Sequence, residues 1–272
     1  MSVPVIDCDA AAELMAPLTD LVVRAGAAIM AIDRRVMKVD GKQDGSPVTE
    51  ADLAADRIIG EGLARLMPSI PTVSEERECP AGLPFRGSFF LIDPLDGTKE
   101  YVAGRNEFTV NLALVTNGTP LLGIIGAPAL GLIWRGLVGR GAERLTIRAS
   151  SAQAATAIHT RRLPQSGKPW IAAVSRSHGD ARTEAFIDAR PGATRTELGS
   201  AVKFARVAEG SVDIYPRLAP TSEWDIAAGH AIVTAAGGKV ADAKGGSIKF
   251  GKGARDFIVP EFIAWGDPTA MG

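Results

Sequence analysis

The sequence predicts a layered α/β protein, and three observations carry that prediction. Apolar runs at Phe89–Ile92, Thr109–Val115, Leu121–Ala127 and Leu132–Val138 read as strands, the last three in one antiparallel sheet. Asn117-Gly118 is the turn dipeptide that joins two of them as a hairpin. After Gly139-Arg140-Gly141 the pattern changes to shorter strands alternating with helices. Faces of this kind are buried only by stacking sheets and helices in layers. The change of pattern sets a boundary near Ser150, giving an N-terminal α+β half over residues 1–150 and a C-terminal α/β half over residues 151–272.

The elements follow in order. Ala, Leu, Val and Ile fill a helix from about Pro17 to Met37, with Pro17 in its first turn. The polar stretch Asp40–Pro47 breaks it, and a second helix starts near Thr49 with Ile59, Leu63, Leu66 and Met67 on one face. Thr72–Ser74 is a short strand ending in Glu75-Glu76. Beyond the sheet, Trp170–Ser175 is a strand, Asp180–Ala189 and Lys203–Glu209 are helices, and Val212–Tyr215 is extended. Ile226–Ala236 is the last helix, capped by Gly237-Gly238.

Composition narrows the function classes. At 272 residues, 46% hydrophobic and 22% charged, the chain has the makeup of a globular protein with a sizeable core. A net charge of −1 argues against a polymer-nucleic-acid or polybasic membrane binder. No apolar run is expected to reach the length of a membrane span, and Cys8 and Cys79 make neither a disulfide framework nor a zinc site. A reducing cytoplasm is the expected compartment. Charge is uneven: Asp40 to Glu107 holds 13 acids against 7 bases, whereas Ser151 to Arg217 holds 10 bases against 6 acids. An acidic half can collect cations while a basic half receives an anion, although most such charges lie on solvated faces.

The chemistry concentrates at Asp93-Pro94-Leu95-Asp96-Gly97-Thr98. A buried strand delivers two carboxylates to its mouth, where they repel unless a cation intervenes. The amides around Gly97 and the Thr98 hydroxyl can face an anion. Three further acids stand at element ends. Asp52 lies three residues after Thr49 and also fits a capping box; Glu75 follows a strand beside Glu76; Asp225 follows Trp224 at a helix start, where the dipole favours an acid. Together Asp52, Glu75, Asp93, Asp96 and Asp225 offer only oxygen, with no His or Cys cluster nearby, which favours Mg²⁺ over zinc.

In order and spacing, Ser74-Glu75-Glu76, Asp93–Thr98 and Trp224-Asp225-Ile226-Ala227-Ala228 resemble the inositol monophosphatase superfamily of lithium-sensitive magnesium phosphatases. The resemblance spans Asp44 to Gly238 and implies an α/β/α/β/α sandwich of the sugar-phosphatase type, with its active site between two halves. Asp44–Asp52, Lys99-Glu100, Glu107-Phe108-Thr109-Val110-Asn111, Val174–His178 and Glu223-Trp224-Asp225 are similar to the branch of 3'(2'),5'-bisphosphate nucleotidases, which remove the 3'-phosphate of adenosine 3',5'-bisphosphate. Tyr101 and Ile226 depart from the commoner Phe and Thr without removing a carboxylate.

The resemblance also implies roles. Glu75, Asp93 and the Leu95 carbonyl hold one Mg²⁺, Asp93, Asp96 and Asp225 a second, and Glu75 with Asp52 bear on a third or its water. Glu75 and Thr98, assisted by Asp52, orient the attacking water, and the phosphate rests on Gly97 and Thr98. Ser175, His178, Gly199 and Lys203 contact the nucleotide, with Asp225 at the substrate as well, and Arg176 is a further cation suited to phosphate. The implied substrate is a small bisphosphorylated nucleotide, in sulfur assimilation. An inositol monophosphatase and a metal-binding regulatory module without catalysis are the other readings. Monomer or homodimer, and peripheral association with the inner membrane, stay open.

Overall fold

Side chains alternate across the strand that leads to the acidic loop, and both of its faces are buried. Phe89 and Leu91 enter one apolar cluster and Phe90 and Ile92 another. A strand covered on both sides has to lie inside a stack of layers. The computed structural model describes residues 3–41, 47–77, 87–148, 151–162, 168–177, 179–190, 192–251 and 257–271. Asp44, Gly45, Ser46, Cys79 and His178 lie outside the described residues.

The chain opens with α1 (Cys8–Ala31), β1 (Val39–Gly41), β2 (Pro47–Thr49) and α2 (Glu50–Leu66). Next come β3 (Thr72–Ser74), β4 (Ser88–Asp96), α3 (Thr98–Val102), β5 (Thr109–Thr116), β6 (Thr119–Ala127) and β7 (Leu132–Leu137). These are followed by β8 (Gly141–Arg148), β9 (Ser151–Ala152), β10 (Thr156–Ile158), β11 (Ile171–Ser175), α4 (Ala181–Asp188) and β12 (Thr194–Leu198). The remainder is α5 (Val202–Ala208), β13 (Ile214–Arg217), β14 (Thr221–Ser222), α6 (Glu223–Ala235), β15 (Lys239–Ala241), β16 (Ile258–Val259) and β17 (Phe262–Trp265).

The larger sheet has the order β10-β8-β7-β6-β5-β4-β3, with β9 beside β8. Every pair is antiparallel except β3 with β4. Asn117 and Gly118 form the predicted hairpin turn, both at positive φ, 50° and 72°. The smaller sheet has the order β12-β11-β13-β17-β15. On the outer face of the larger sheet, Leu18, Val22 and Ile29 of α1 and Ile59 and Leu63 of α2 pack with Phe90, Ile92 and Leu112. Between the sheets, α5 and α6 bury Phe204, Ile226 and Ile232 with Phe89 and Leu91 on one side and Tyr215 and Phe262 on the other. Ile187 of α4 closes the far side over Ala172, Val174 and Ile263. The result is the five-layer α/β/α/β/α sandwich.

Several expectations are corrected. The first helix starts at Cys8, not near Pro17, because Asp7 caps it by accepting from the Ala10 amide at 2.9 Å. Pro17 therefore lies inside the helix, and the Thr19 hydroxyl takes up the Met15 carbonyl at 2.6 Å beside it. It also ends at Ala31, short of Met37. Within this 24-residue helix an 18-residue stretch has a mean hydropathy of 1.5, enough to cross a membrane by length and composition only. Here that apolar stripe covers the larger sheet and α2. Leu66, expected on the packed face of α2, is exposed. The larger sheet runs past Ser150 to Ile158, and the smaller one begins at Ile171. The sequence pattern does not signal β15, at the edge of the smaller sheet, or β17 beside it.

Candidate active site

The acidic loop owes its shape to a slip in strand register. Asp93 pairs with Asn111 and Asp96 with Thr109, so β4 carries one residue more than β5 between those pairs. In a regular strand, positions three apart face opposite sides. The bulge at Pro94-Leu95 cancels that alternation and brings both carboxylates to one side. Pro94 suits a bulge because it has no amide to donate. Gly97 then takes a left-handed turn, φ 91°, and caps α3.

Three other elements bring their acids to the same place. Ser74 pairs with Ile92 at the end of β3, and the Glu75 amide donates to the Ile92 carbonyl at 3.2 Å, so Glu75 emerges beside Asp93. Asp56 of α2 secures this corner by accepting from the Ser74 hydroxyl and Arg77 Nε, both at 2.6 Å. Ser222 and Asp225 form a capping box at the start of α6, where Asp225 accepts from the Ser222 amide at 3.1 Å and from the Thr221 hydroxyl. One carboxylate oxygen each from Glu75, Asp93 and Asp225 lies within 4.8 Å of the others. Asp96 is not in that trio; its Oδ2 accepts from Asn111 Nδ2 at 3.3 Å.

Asp52 is both helix cap and site residue. Its Oδ2 accepts from the Thr49 amide at 2.8 Å and hydroxyl at 2.6 Å, and its Oδ1 accepts from the Thr98 hydroxyl at 3.0 Å. The Thr98 hydroxyl is also 3.1 Å from the Leu95 carbonyl. Burial raises the Asp52 pKa against these hydrogen bonds. Asp93 is raised well above the carboxylate range, first by burial and then by repulsion from Glu75, Asp96 and Asp225. Asp96 is pushed up to about 7, by burial and then by Asp225. Divalent cations held among these oxygens would relieve both causes, so the donor set fits a hard metal ion.

Glu75, Asp93, Asp96 and Asp225 line a cleft of about 230 Å³ together with Ser175, Lys203, Arg217 and Trp224. Lys203 is almost fully buried, with Nζ donating to the carbonyls of Ser200 at 2.6 Å and Leu198 at 3.4 Å. Burial lowers its pKa to about 8, while the Asp96 charge opposes the shift. Two predicted residues are not presented to the cleft. The Gly199 amide is given to Glu107 Oε2 at 3.0 Å, and Arg176 is ion-paired with the same carboxylate. Sequence reasoning missed Arg217, whose guanidinium donates to the Pro220 carbonyl at 3.2 Å, and the buried Glu100, which accepts from the Ser177 hydroxyl. Arg217 ends a strand in an unremarkable Tyr-Pro-Arg stretch, and only the packing of β13 beside α5 brings it to the site.

A layered sandwich with an all-oxygen acidic cluster at its sheet edge defines a class of phosphatases. The chain belongs to the inositol monophosphatase family, whose model matches residues 11–268. It is 40% identical over 222 residues to the 3'(2'),5'-bisphosphate nucleotidase CysQ of Escherichia coli K12, covering 79% of this chain and 85% of that protein. CysQ of Salmonella typhimurium is 41% identical over the same length. The crystal structure of CysQ from Bacteroides thetaiotaomicron is similar with a TM-score of 0.72 at 30% identity, covering 92% of this chain and 95% of that one. The IMPase of Thermotoga maritima gives 0.74 at 27% identity, covering 95% and 93%.

Proposed function

We propose that the chain is a Mg²⁺-dependent 3'(2'),5'-bisphosphate nucleotidase that converts adenosine 3',5'-bisphosphate to AMP and phosphate. The observation that carries this reading is one cleft lined by both signs of charge: a carboxylate cluster suited to hard cations, and the cations Lys203 and Arg217. A substrate with one phosphate needs only the carboxylate cluster. A bisphosphate uses the cations as well. The names of the CysQ relatives point the same way.

Glu75, Asp93, Asp96, Asp225 and the Leu95 carbonyl would hold the ions. Bound there, Mg²⁺ supplies positive charge to the phosphoryl oxygens and lowers the pKa of water. The Thr98 hydroxyl donates its hydrogen bond to Asp52 Oδ1, so its lone pairs can accept from the attacking water. Asp52 cannot turn away, because Thr49 holds its other oxygen twice. The amides of Gly97 and Thr98 would receive the reacting phosphate, and Ser175 and Lys203 the nucleotide. His178 and Gly199 were expected beside them; Gly199 acts through its contact with Glu107 instead.

Incubation of the protein with adenosine 3',5'-bisphosphate and Mg²⁺, followed by ³¹P NMR, tests the reading. It predicts AMP that keeps its 5'-phosphate, and no product in excess chelator. Turnover undiminished by chelator, or loss of the 5'-phosphate, contradicts it.

A further inference from the structure

Glu107 stands outside the metal cluster and outside the cleft lining, yet three segments of the site converge on it. Its Oε2 accepts from the Gly199 amide at 3.0 Å and pairs with Arg176. Arg176 in turn donates to the Glu197 carbonyl at 3.1 Å through its guanidinium and to the Leu198 carbonyl at 3.3 Å through its amide. The backbones touch as well. A Cβ at Gly199 would lie 2.5 Å from the Glu107 carbonyl oxygen, and one at Gly97 would lie 3.3 Å from both that oxygen and Ser200 Cβ. Leu198 and Ser200, on either side of Gly199, supply the two carbonyls that hold Lys203 Nζ. Ser200 sits at φ 45°, a conformation that a non-glycine residue keeps only when its surroundings impose it.

We propose that Glu107 is a positioning residue: by clasping Gly199 and Arg176 it fixes the turn 198–200 against the Gly97 loop and so sets where the Lys203 ammonium stands relative to the reacting phosphate. The carboxylate acts by reach. It spans the larger sheet and the smaller one at the mouth of the cleft, where β12 ends and α5 begins. One side-chain oxygen at that reach meets the Gly199 amide and the Arg176 guanidinium together, which holds such a turn in one arrangement. It also explains why Arg176 is not offered to the substrate. That Lys203 meets the second phosphate rests on the function proposed above, whereas the placing of Lys203 by Glu107 does not.

Glu107→Asp keeps the charge and withdraws the reach; Glu107→Gln keeps the reach and removes the charge. Two readouts on the full chain decide between them: the rate of Lys203 acetylation by acetic anhydride, followed by mass spectrometry, and kcat and KM for adenosine 3',5'-bisphosphate and p-nitrophenyl phosphate. Glu107→Asp is expected to change Lys203 labelling about fivefold or more, and to raise KM for the bisphosphate about tenfold, with a smaller change in kcat and in KM for p-nitrophenyl phosphate. Glu107→Gln is expected to stay close to the parent in both readouts. Unchanged Lys203 labelling in Glu107→Asp, an equal rise of KM on both esters, or a larger effect of Gln than of Asp overturns the proposal. A parent protein that does not turn over the bisphosphate sinks the nucleotidase reading, and the labelling still decides the positioning.

Discussion

The Thr98 hydroxyl donates to Asp52 Oδ1 at 3.0 Å, joining a residue of the acidic loop to the first turn of α2 across 46 positions of sequence. One carboxylate thus closes a helix cap with one oxygen and reaches the reaction site with the other.

Asp52→Asn tests this double duty. An amide cannot accept at both ends, so either the cap or the Thr98 bond is lost. Turnover should fall about 100-fold, in the range of a lost proton-transfer or water-orienting group. Stability should fall by about 1 kcal/mol from the weakened cap. Thr98→Val should reproduce the kinetic loss without the helix destabilisation, as read by kcat beside a chemical denaturation curve.

Asp96→Asn removes charge without changing size. Its loss should appear in kcat, by about 1,000-fold, because charge held near the phosphoryl group matters most in the transition state. The fold should remain and even gain stability in excess chelator, since Asp225 and Glu75 repel the native carboxylate. Steady-state kinetics and thermal melting of the variant check both halves.

The positions of these acids were legible because they are local. A bulged Asp-Pro-Leu-Asp-Gly-Thr loop, a Thr-x-x-Asp cap and a Trp-Asp helix start are each written within a few residues. Contacts that cross the fold were not. Glu100 meets Ser177 from 77 positions away and Glu107 meets Arg176 from 69, so the spacing gave no sign that Arg176 was already neutralised. The start of α1 is hidden for a different reason: Pro17 suits a first turn, yet tertiary packing of Leu18, Val22 and Ile29 keeps the chain helical on both sides of it.

The α6 helix holds two buried groups with opposed pH behaviour. Burial lowers His230 from 6.5 to about 4, so it withholds a proton that the unfolded chain takes up. Its contribution to stability is present above pH 6.5 and is lost as the pH falls towards 4. Burial raises Glu223 from 4.5 to about 7, so its contribution is present below pH 4.5 and is lost as the pH rises through 7. Relative to His230→Leu, the parent should gain on the order of 3 kcal/mol between pH 4 and 6.5. Relative to Glu223→Gln, it should lose stability between pH 4.5 and 7. Denaturation curves of the three proteins across that window check both signs.

Lys203→Met keeps the length and apolar stem of a buried side chain and removes its charge. KM for adenosine 3',5'-bisphosphate should rise about tenfold or more, and KM for inositol 1-phosphate much less. Arg217→Met should act in the same direction. Equal weakening on both substrates would remove these cations as readers of a second phosphate.

The nucleotidase reading comes down to one ratio: kcat/KM for adenosine 3',5'-bisphosphate over kcat/KM for inositol 1-phosphate, measured with saturating Mg²⁺. Two additional charge-assisted contacts, from Lys203 and Arg217, predict a ratio of about 100 or more. A ratio near one, or one that favours the inositol ester, would contradict the account and leave a phosphatase with the same acidic cluster and a different substrate.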